Sequence, residues 1–183
     1  MVVATSDGTK TLVTNGSAGG VIYANGADAD GSILKGGAGD DSLRGGKYAD
    51  DLFGGSGNDS YFGGGGVDNF HVNMQDIKDG VDTDTLLDLE LADGADGDVL
   101  WLEGFAQGTF SEHDTNHGSA LKVGTWDGLV EALNSAVGIN VTASQIGTTD
   151  NLLLVIDDNA GHIQNLVIKG GFADYLAAGG IVA

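Results

Sequence analysis

Gly36-Gly37-Ala38-Gly39-Asp40-Asp41-Ser42-Leu43-Arg44 is the first of four nonapeptides that follow one another without a gap. The others are Gly45 to Phe53, Gly54 to Phe62 and Gly63 to His71. Each opens on Gly-Gly, carries Asp at its sixth place (Asp41, Asp50, Asp59, Asp68) and a large apolar residue at its eighth (Leu43, Leu52, Tyr61, Phe70). A flexible glycine linker has no reason to hold both an aspartate and an apolar residue at a fixed period. Self-similarity of this kind marks a repeat architecture, in which each unit buries its apolar side chain only against its neighbours.

Within a nonapeptide the first six residues make a turn, and the last three make a short strand whose middle side chain points inward. Two nonapeptides complete one coil, so the turns stack in two columns. One column holds Asp30, Asp50 and Asp68, the other Asp41 and Asp59, while Leu43, Leu52, Tyr61 and Phe70 fill the interior. Upstream, Asn25-Gly26-Ala27-Asp28-Ala29-Asp30 reads as a decayed turn, with Asn25 and Asp28 in place of glycines. Asn and Asp best tolerate the left-handed region, and a two-residue insertion before Gly36 brings Asp30 to the sixth place. Further back, Gly20 stands where the aspartate belongs, and Thr5 to Val13 keeps only the strand, with Leu12 inward. These are capping turns, atypical as terminal repeats usually are. Tyr48 replaces the glycine found at Gly39, Gly57 and Gly66, and a bulky side chain at positive φ implies a strained, looser turn around Asp50.

The bulk composition agrees with this reading. The chain has 183 residues, 7 basic against 27 acidic for a formal charge of −20, and 41% hydrophobic residues. That charge disfavours nucleic acid and anionic lipid as partners, while the hydrophobic content is too high for a disordered acidic tail. Glycine numbers 33 and proline and cysteine are absent, which suits repeated tight turns and rules out disulfides and thiolate metal sites. No stretch approaches the roughly 18 apolar residues of a membrane span. Met1 to Asp7 lacks the basic and apolar regions of a secretory signal peptide.

After His71 the period dissolves. Asp82 to Leu89 and Gly97 to Phe105 read as two strands around the polar turn Ala92 to Gly97, with Val99, Trp101 and Glu103 alternating imperfectly. Thr125 to Gly138 is the one convincing helix, capped by Thr125 and apolar at Trp126, Leu129, Val130, Leu133 and Val137. Asn151 to Ile156 and His162 to Ile168 form a hairpin across Asp157 to Gly161. A short Phe172 to Ala177 segment and the apolar end Gly180 to Ala183 complete the chain. The fold class is therefore mostly all-β: a roll of nonapeptide repeats over 1–80, then a β-rich region with one helix over 81–183.

The turns offer oxygen chemistry. Glycines let successive carbonyls converge on one point, and the aspartate adds charge. Calcium takes six to eight oxygens, carboxylate and carbonyl alike, whereas magnesium demands stricter octahedral geometry; zinc prefers nitrogen or sulfur, which the turns lack. One turn cannot surround an ion, but two stacked turns supply two carboxylates to balance a divalent charge. Without metal the stacked aspartates repel, so binding energy serves as folding energy.

With these residues in view, the chain resembles the RTX family of proteins that Gram-negative bacteria secrete by the type I pathway. The likeness covers Asn25 to His71. A softer likeness, to the region flanking the repeats in serralysin-type proteases and to the calcium-binding modules of alginate epimerases, rests on Asp88-Leu89, Gly97 to Leu102, Phe105 and the hairpin from Leu153 to Ile168. The resemblance implies a parallel β-roll with ions bridging turn n to turn n+2. Its carboxylate pairs would be Asp41 with Asp59 and Asp50 with Asp68, with Asp30 beside Asp50 as a weaker third. Carried onto the matching turns, the ligand positions are Asp28, Gly36, Ala38, Gly39, Gly45, Lys47, Gly54, Ser56, Gly57, Gly63 and Gly65, for roughly three or more calcium ions. It also implies an uncleaved C-terminal secretion signal that includes Ile181-Val182-Ala183, the type I secretion apparatus as partner, and a location outside the cell or at its surface.

Other constellations carry less. His113 and His117 lie in a polar loop with no third ligand in sight; His71, at the outward ninth place, and His162, beside a turn, are structural. Trp101 and Trp126 stand at core-like positions. There is no nucleophile elbow, His-Glu-x-x-His helix or phosphate loop, so an enzyme is not expected. The leading expectation is a non-enzymatic calcium-binding module that folds after secretion. The alternatives are a calcium-dependent binder of acidic polysaccharide, using the Gly108 to Gly118 loop or the hairpin, and the C-terminal module of a larger secreted enzyme.

Overall fold

Alternation along the repeats is realised as a flattened coil with one sheet on each side. The computed structural model describes residues 2–4, 10–13, 18–24, 31–74, 77, 80–92, 97–104, 121–136 and 138–183, with backbone only for the first two of these segments. The strands in chain order are β1 (Val2–Ala4), β2 (Lys10–Val13), β3 (Val21–Tyr23), β4 (Ser32–Ala38), β5 (Ser42–Arg44), β6 (Asp51–Ser56) and β7 (Ser60–Phe62). They continue as β8 (Asn69–Asn73), β9 (Val81–Leu86), β10 (Val99–Glu103), β11 (Leu121–Val123), β12 (Asn140–Gln145), β13 (Leu152–Asp157) and β14 (Ile163–Ile168). Helix α1 (Trp126–Ser135) lies between β11 and β12, and α2 (Phe172–Ala177) follows β14. One sheet has the order β1-β2-β4-β6-β8-β10-β11 and the other β12-β13-β14-β9-β7-β5-β3.

From β2 to β10 successive strands thus alternate between sheets, and each pairs in parallel with the strand one coil away. Leu34 faces Leu52, which faces Phe70, which faces Leu100; across the interior Ile22, Leu43, Tyr61, Leu86 and Ile168 form the matching row. All are buried. Tyr61 carries a hydroxyl into this interior and satisfies it, accepting from Gly54 N at 3.1 Å and donating to His71 O at 3.3 Å, as a buried polar atom requires. The repeats with three-residue strands, β5 and β7, hold to expectation. β4 and β6 instead run on into their glycine turns, with Gly37 opposite Gly55 and Ala38 opposite Ser56.

Three expectations need correction. First, the two-residue insertion does not fall between Ser32 and Gly36: Ile33 faces Asp51 and Leu34 faces Leu52, which puts Ser32 in line with Asp50 and Asp68. Second, the strands on either side of the Ala92–Gly97 turn do not pair with each other. β9 joins β7 and β14 in one sheet, and β10 joins β8 and β11 in the other; they extend the coil by one turn, so both sheets run through residue 80. Third, Tyr48 is not strained, because Asn159 is the one non-glycine residue at positive φ among the described residues. Phe105 and the loop holding His113 and His117 lie outside the described residues, as do Asp28 and Asp30.

Trp101 does not point into the core; Leu100 and Leu102 do. It belongs to a row on the opposite face, Lys35, Phe53, His71, Trp101 and Lys122, in register across five strands. His71 stacks on Phe53 with centroids 3.9 Å apart and on Trp101 at 5.6 Å, and a lysine ammonium lies over the ring at each end, a cation–π arrangement. His71 is outward yet only 5% exposed. Its Nδ1 is 2.9 Å from Glu103 Oε1. Burial alone would depress its pKa, but Asp51 and Glu103 outweigh that and raise it.

Beyond the coil, the β13–β14 hairpin forms as read, turning at Asp157 to Gly161. Helix α1 begins where Thr125 accepts from Gly128 N at 3.0 Å and buries Leu129, Val130 and Ala132. It stops at Ser135, short of Gly138, because Ala136 turns extended. Since Leu52 is completely buried between Leu34 and Phe70, Leu52→Ala should cost about 2–5 kcal/mol. Chemical unfolding in saturating calcium measures this.

Candidate metal centre

The Asp-x-apolar end of each repeat fixes where its carboxylate goes. The apolar residue turns inward, so the aspartate two places earlier also faces inward at the mouth of the strand, stacked on its counterpart one coil away. In the first column Asp41 N donates to Asp59 Oδ1 at 2.7 Å, and Asp59 N donates to Asp84 Oδ1 at 2.9 Å. In the second, Ser32 N donates to Asp50 Oδ1 at 2.5 Å, Asp50 N to Asp68 Oδ1 at 2.8 Å and Asp68 N to Asp98 Oδ1 at 3.0 Å. The carbonyls complete the ladder: Asp41, Asp50, Asp59 and Asp68 each accept from the residue after the next aspartate, all at 2.8 Å.

The structure therefore brings Asp41 to Asp59 and Asp50 to Asp68, each pair one coil apart. It adds Asp84 and Asp98, which the nonapeptide period does not reach because their steps are 25 and 30 residues instead of 18. A local signal for them exists in the sequence. Asp84-Thr85-Leu86 and Asp98-Val99-Leu100 repeat the triplet of Asp59-Ser60-Tyr61 and Asp68-Asn69-Phe70. Asp82 and Asp88 also serve the turns, accepting from Gly57 N at 3.2 Å and from Gly63 N and Gly64 N at 2.9 Å each.

The glycines at the first place are required by space. A Cβ on Gly36, Gly45, Gly54 or Gly63 would come within 2.6, 2.6, 2.2 and 2.3 Å of the second carboxylate oxygen of Asp41, Asp50, Asp59 and Asp68 respectively. Positive φ at Gly37, Gly39, Gly55, Gly57, Gly64 and Gly66 turns alternate peptide units and lets stacked turns touch backbone to backbone. The carbonyl-bearing turns also bond to each other directly in two pairs: Gly39 N donates to Ser56 O at 2.8 Å and Gly65 N to Gly46 O at 3.1 Å. Those carbonyls keep a second lone pair. Lys47 directs its ammonium away, 5.7 Å from the Tyr48 ring centroid.

Every one of these carboxylates is buried: Asp41, Asp50, Asp59, Asp68, Asp84 and Asp98 are between 1% and 6% exposed. Burial raises the pKa of Asp59 and Asp68 to about 7, with neighbouring aspartates adding to it and the backbone hydrogen bonds opposing it. Burial likewise raises Asp50 and Asp98, and lifts Asp84 well above the usual carboxylate range. The second oxygens differ. Asp50 Oδ2 accepts from Gly46 N at 2.6 Å and Asp98 Oδ2 from Glu90 N at 3.0 Å, but Asp59 Oδ2 is buried with no hydrogen-bond donor among the described residues. An oxygen in that state calls for a proton or a cation. Among the described residues no three acidic or histidine side chains converge, so any ion here draws on a carboxylate pair plus backbone oxygen, a donor set suited to a hard cation.

Residues 35–70 match the RTX calcium-binding nonapeptide repeat in four copies. No curated protein and no solved structure matches the chain. The matched stretch ends before Asp84 and Asp98, so the ladder extends beyond the recognisable repeats.

The raised values fix a pH dependence for the metal-free chain. Asp59 and Asp68 rise from 3.8 to about 7 on folding, so folding takes up protons. Their contribution is complete below the unfolded value and lost as pH rises through about 7. Metal-stripped protein should therefore melt at a higher temperature at pH 5 than at pH 8, measured by circular dichroism.

Proposed function

We propose that the chain is an extracellular calcium-binding module whose repeat region folds when calcium binds, after export by a type I pathway. The calcium-binding repeats themselves are recognised over residues 35–70; the rest of this reading rests on the chemistry of the two columns. The observation that carries it is the stacked, buried carboxylate ladder, with Asp59 Oδ2 lacking a donor among the described residues. Buried like charges are strongly unfavourable unless neutralised. In the cytosol, where calcium is scarce, the columns repel and the turns stay open. Outside, millimolar calcium suits the roughly 10⁻⁴–10⁻³ M affinities of extracellular modules, and any ligand bound only by the folded chain stabilises it.

Asp41 with Asp59 and Asp50 with Asp68 would hold the ions. Carbonyls would come from Gly36, Ala38, Gly39, Gly45, Lys47, Gly54, Ser56, Gly57, Gly63 and Gly65 of the same turns. Calcium supplies charge neutralisation and a fixed centre for the turn; the chain supplies the glycine geometry and the inward Leu43, Leu52, Tyr61 and Phe70 that make folding favourable once repulsion is removed. The reading is of a binding module and not an enzyme: the carboxylates raised by burial all belong to the ladder, where backbone donors already engage them. An unfolded chain before export and a folded one after it fit passage through a narrow channel.

Two measurements test this. Circular dichroism with calcium and with excess EGTA at pH 7.5 should show β structure gained on calcium addition; a chelator-insensitive β spectrum would count against the proposal. Gly54→Ala places a methyl 2.2 Å from both Asp59 Oδ2 and Tyr61 Oη. It should cost on the order of 1–3 kcal/mol, as overpacking does, seen as a higher calcium concentration at the folding midpoint. Wild-type behaviour in that variant would remove the Asp59 turn from the proposed site.

A further inference from the structure

The first column ends at a specific place. From Asp41 the inward row passes to Asp59 and Asp84 and then, one strand further, to Leu166 and Leu154. An acidic row thus runs into an apolar one at the junction of β9 and β14. Leu166 offers Asp84 neither a donor nor a charge. The donor comes from the neighbouring position: Gln164, in register with Asp82, sends Nε2 diagonally to Asp84 Oδ2 at 3.2 Å. Both residues are buried, Gln164 to 1% exposure and Asp84 to 3%.

Asp59 and Asp84 are equivalent in the ladder, each taking the preceding aspartate's backbone N–H on Oδ1. They differ at the second oxygen. That of Asp59 has no donor among the described residues, whereas that of Asp84 has Gln164. A primary amide is the neutral group best suited to this task, since it donates to a carboxylate while adding no charge to be balanced.

We propose that Gln164 closes the calcium column: its side-chain amide takes the place at Asp84 that a cation takes at Asp59, so the metal-dependent stack ends between β9 and β14. This rests on the calcium-binding reading above and adds to it a boundary and the residue that sets it. It follows that the number of ions is limited by residue 164 as well as by the number of nonapeptides. Exchanging the amide for a carboxylate of the same shape would put a third buried acid beside Asp82 and Asp84 and open one more cation site.

The test is calcium stoichiometry of the full, metal-stripped chain by isothermal titration calorimetry at pH 7.5, with circular dichroism on the same samples. Gln164→Glu should bind one ion more than the wild-type chain. Asp84→Asn should bind the same number as wild type, because in the wild-type chain the Gln164 amide, and not a cation, serves Asp84 Oδ2. Asp59→Asn should bind fewer and serves as the reference. A folded Gln164→Glu with an unchanged count overturns the proposal, and so does loss of an ion in Asp84→Asn. Should Gln164→Glu fail to fold in calcium, the Asp84→Asn count decides alone. A wild-type chain that binds no calcium overturns the preceding reading, and this one with it. A wild type that binds calcium beside either contrary variant overturns this one only.

Discussion

The bond from one aspartate's backbone N–H to the carboxylate of the aspartate a coil later sets the terms for the whole molecule. It lets the turns stack in register, and it also places carboxylates one above another inside the protein. Backbone donors satisfy one oxygen of Asp50, Asp59, Asp68, Asp84 and Asp98 but leave the charge in place, and a buried charge with only hydrogen bonds for company is costly. The stack therefore depends on something that the repeat itself does not contain. Where the chain supplies further donors, as Gly46 does for Asp50 and Glu90 for Asp98, that dependence weakens; at Asp59 it is complete.

Charge repulsion and apolar burial are coupled through the shortness of the strands. β5 and β7 contribute one fully buried side chain each, Leu43 and Tyr61. Burying one such side chain is worth about 1.5–3 kcal/mol, on the scale of fixing one or two residues' backbones and well below the cost of ordering nine. Single repeats have no independent stability, and only the continuous row through both sheets makes the coil persist. That row does not stop with the repeats. Phe70 packs on to Leu100, and Tyr61 to Leu86 and Ile168, so the β-rich C-terminal half shares one interior with the coil.

The repeat region was legible because its signals are local and redundant. A glycine pair, an aspartate and an apolar residue recur at a period that leaves one consistent three-dimensional arrangement, and Leu43, Leu52, Tyr61 and Phe70 are all inside as that arrangement requires. The hairpin and helix α1 were legible for the same reason, through alternation and a Thr125 cap. What escaped was governed by register over long separations. Asp84 and Asp98 keep the local triplet but lose the period, so counting by nine passes over them. Ser32 carries no ligand side chain to mark its place in the column, while strand pairing is set by the apolar Leu34 two places on. Trp101 reads as core-like from its alternation with Val99; its neighbours Leu100 and Leu102 claim the interior, and the outward indole stacks on His71. Tyr48 illustrates the converse: a turn with the wrong residue for positive φ adopts another backbone path while Asp50 keeps its place in the ladder.

A parallel coil has no intrinsic end, since each turn presents the next with the surface on which it was itself built. Here the growth is arrested by reversal of strand direction. β1 runs antiparallel to β2, β11 to β10, and β13 to both β12 and β14, so two of the four sheet edges among the described residues, β1 and β11, present a strand of the opposite sense, and a third ends in the antiparallel run β14-β13-β12. Backbone edges invite pairing with other chains unless blunted, and a stack of identical parallel turns would be an open template for its own copies. The antiparallel margins separate length from termination. Coils can be added or lost between the ends in evolution, each pair of nonapeptides lengthening both sheets by about 4.8 Å, while the same terminal strands keep the assembly finite.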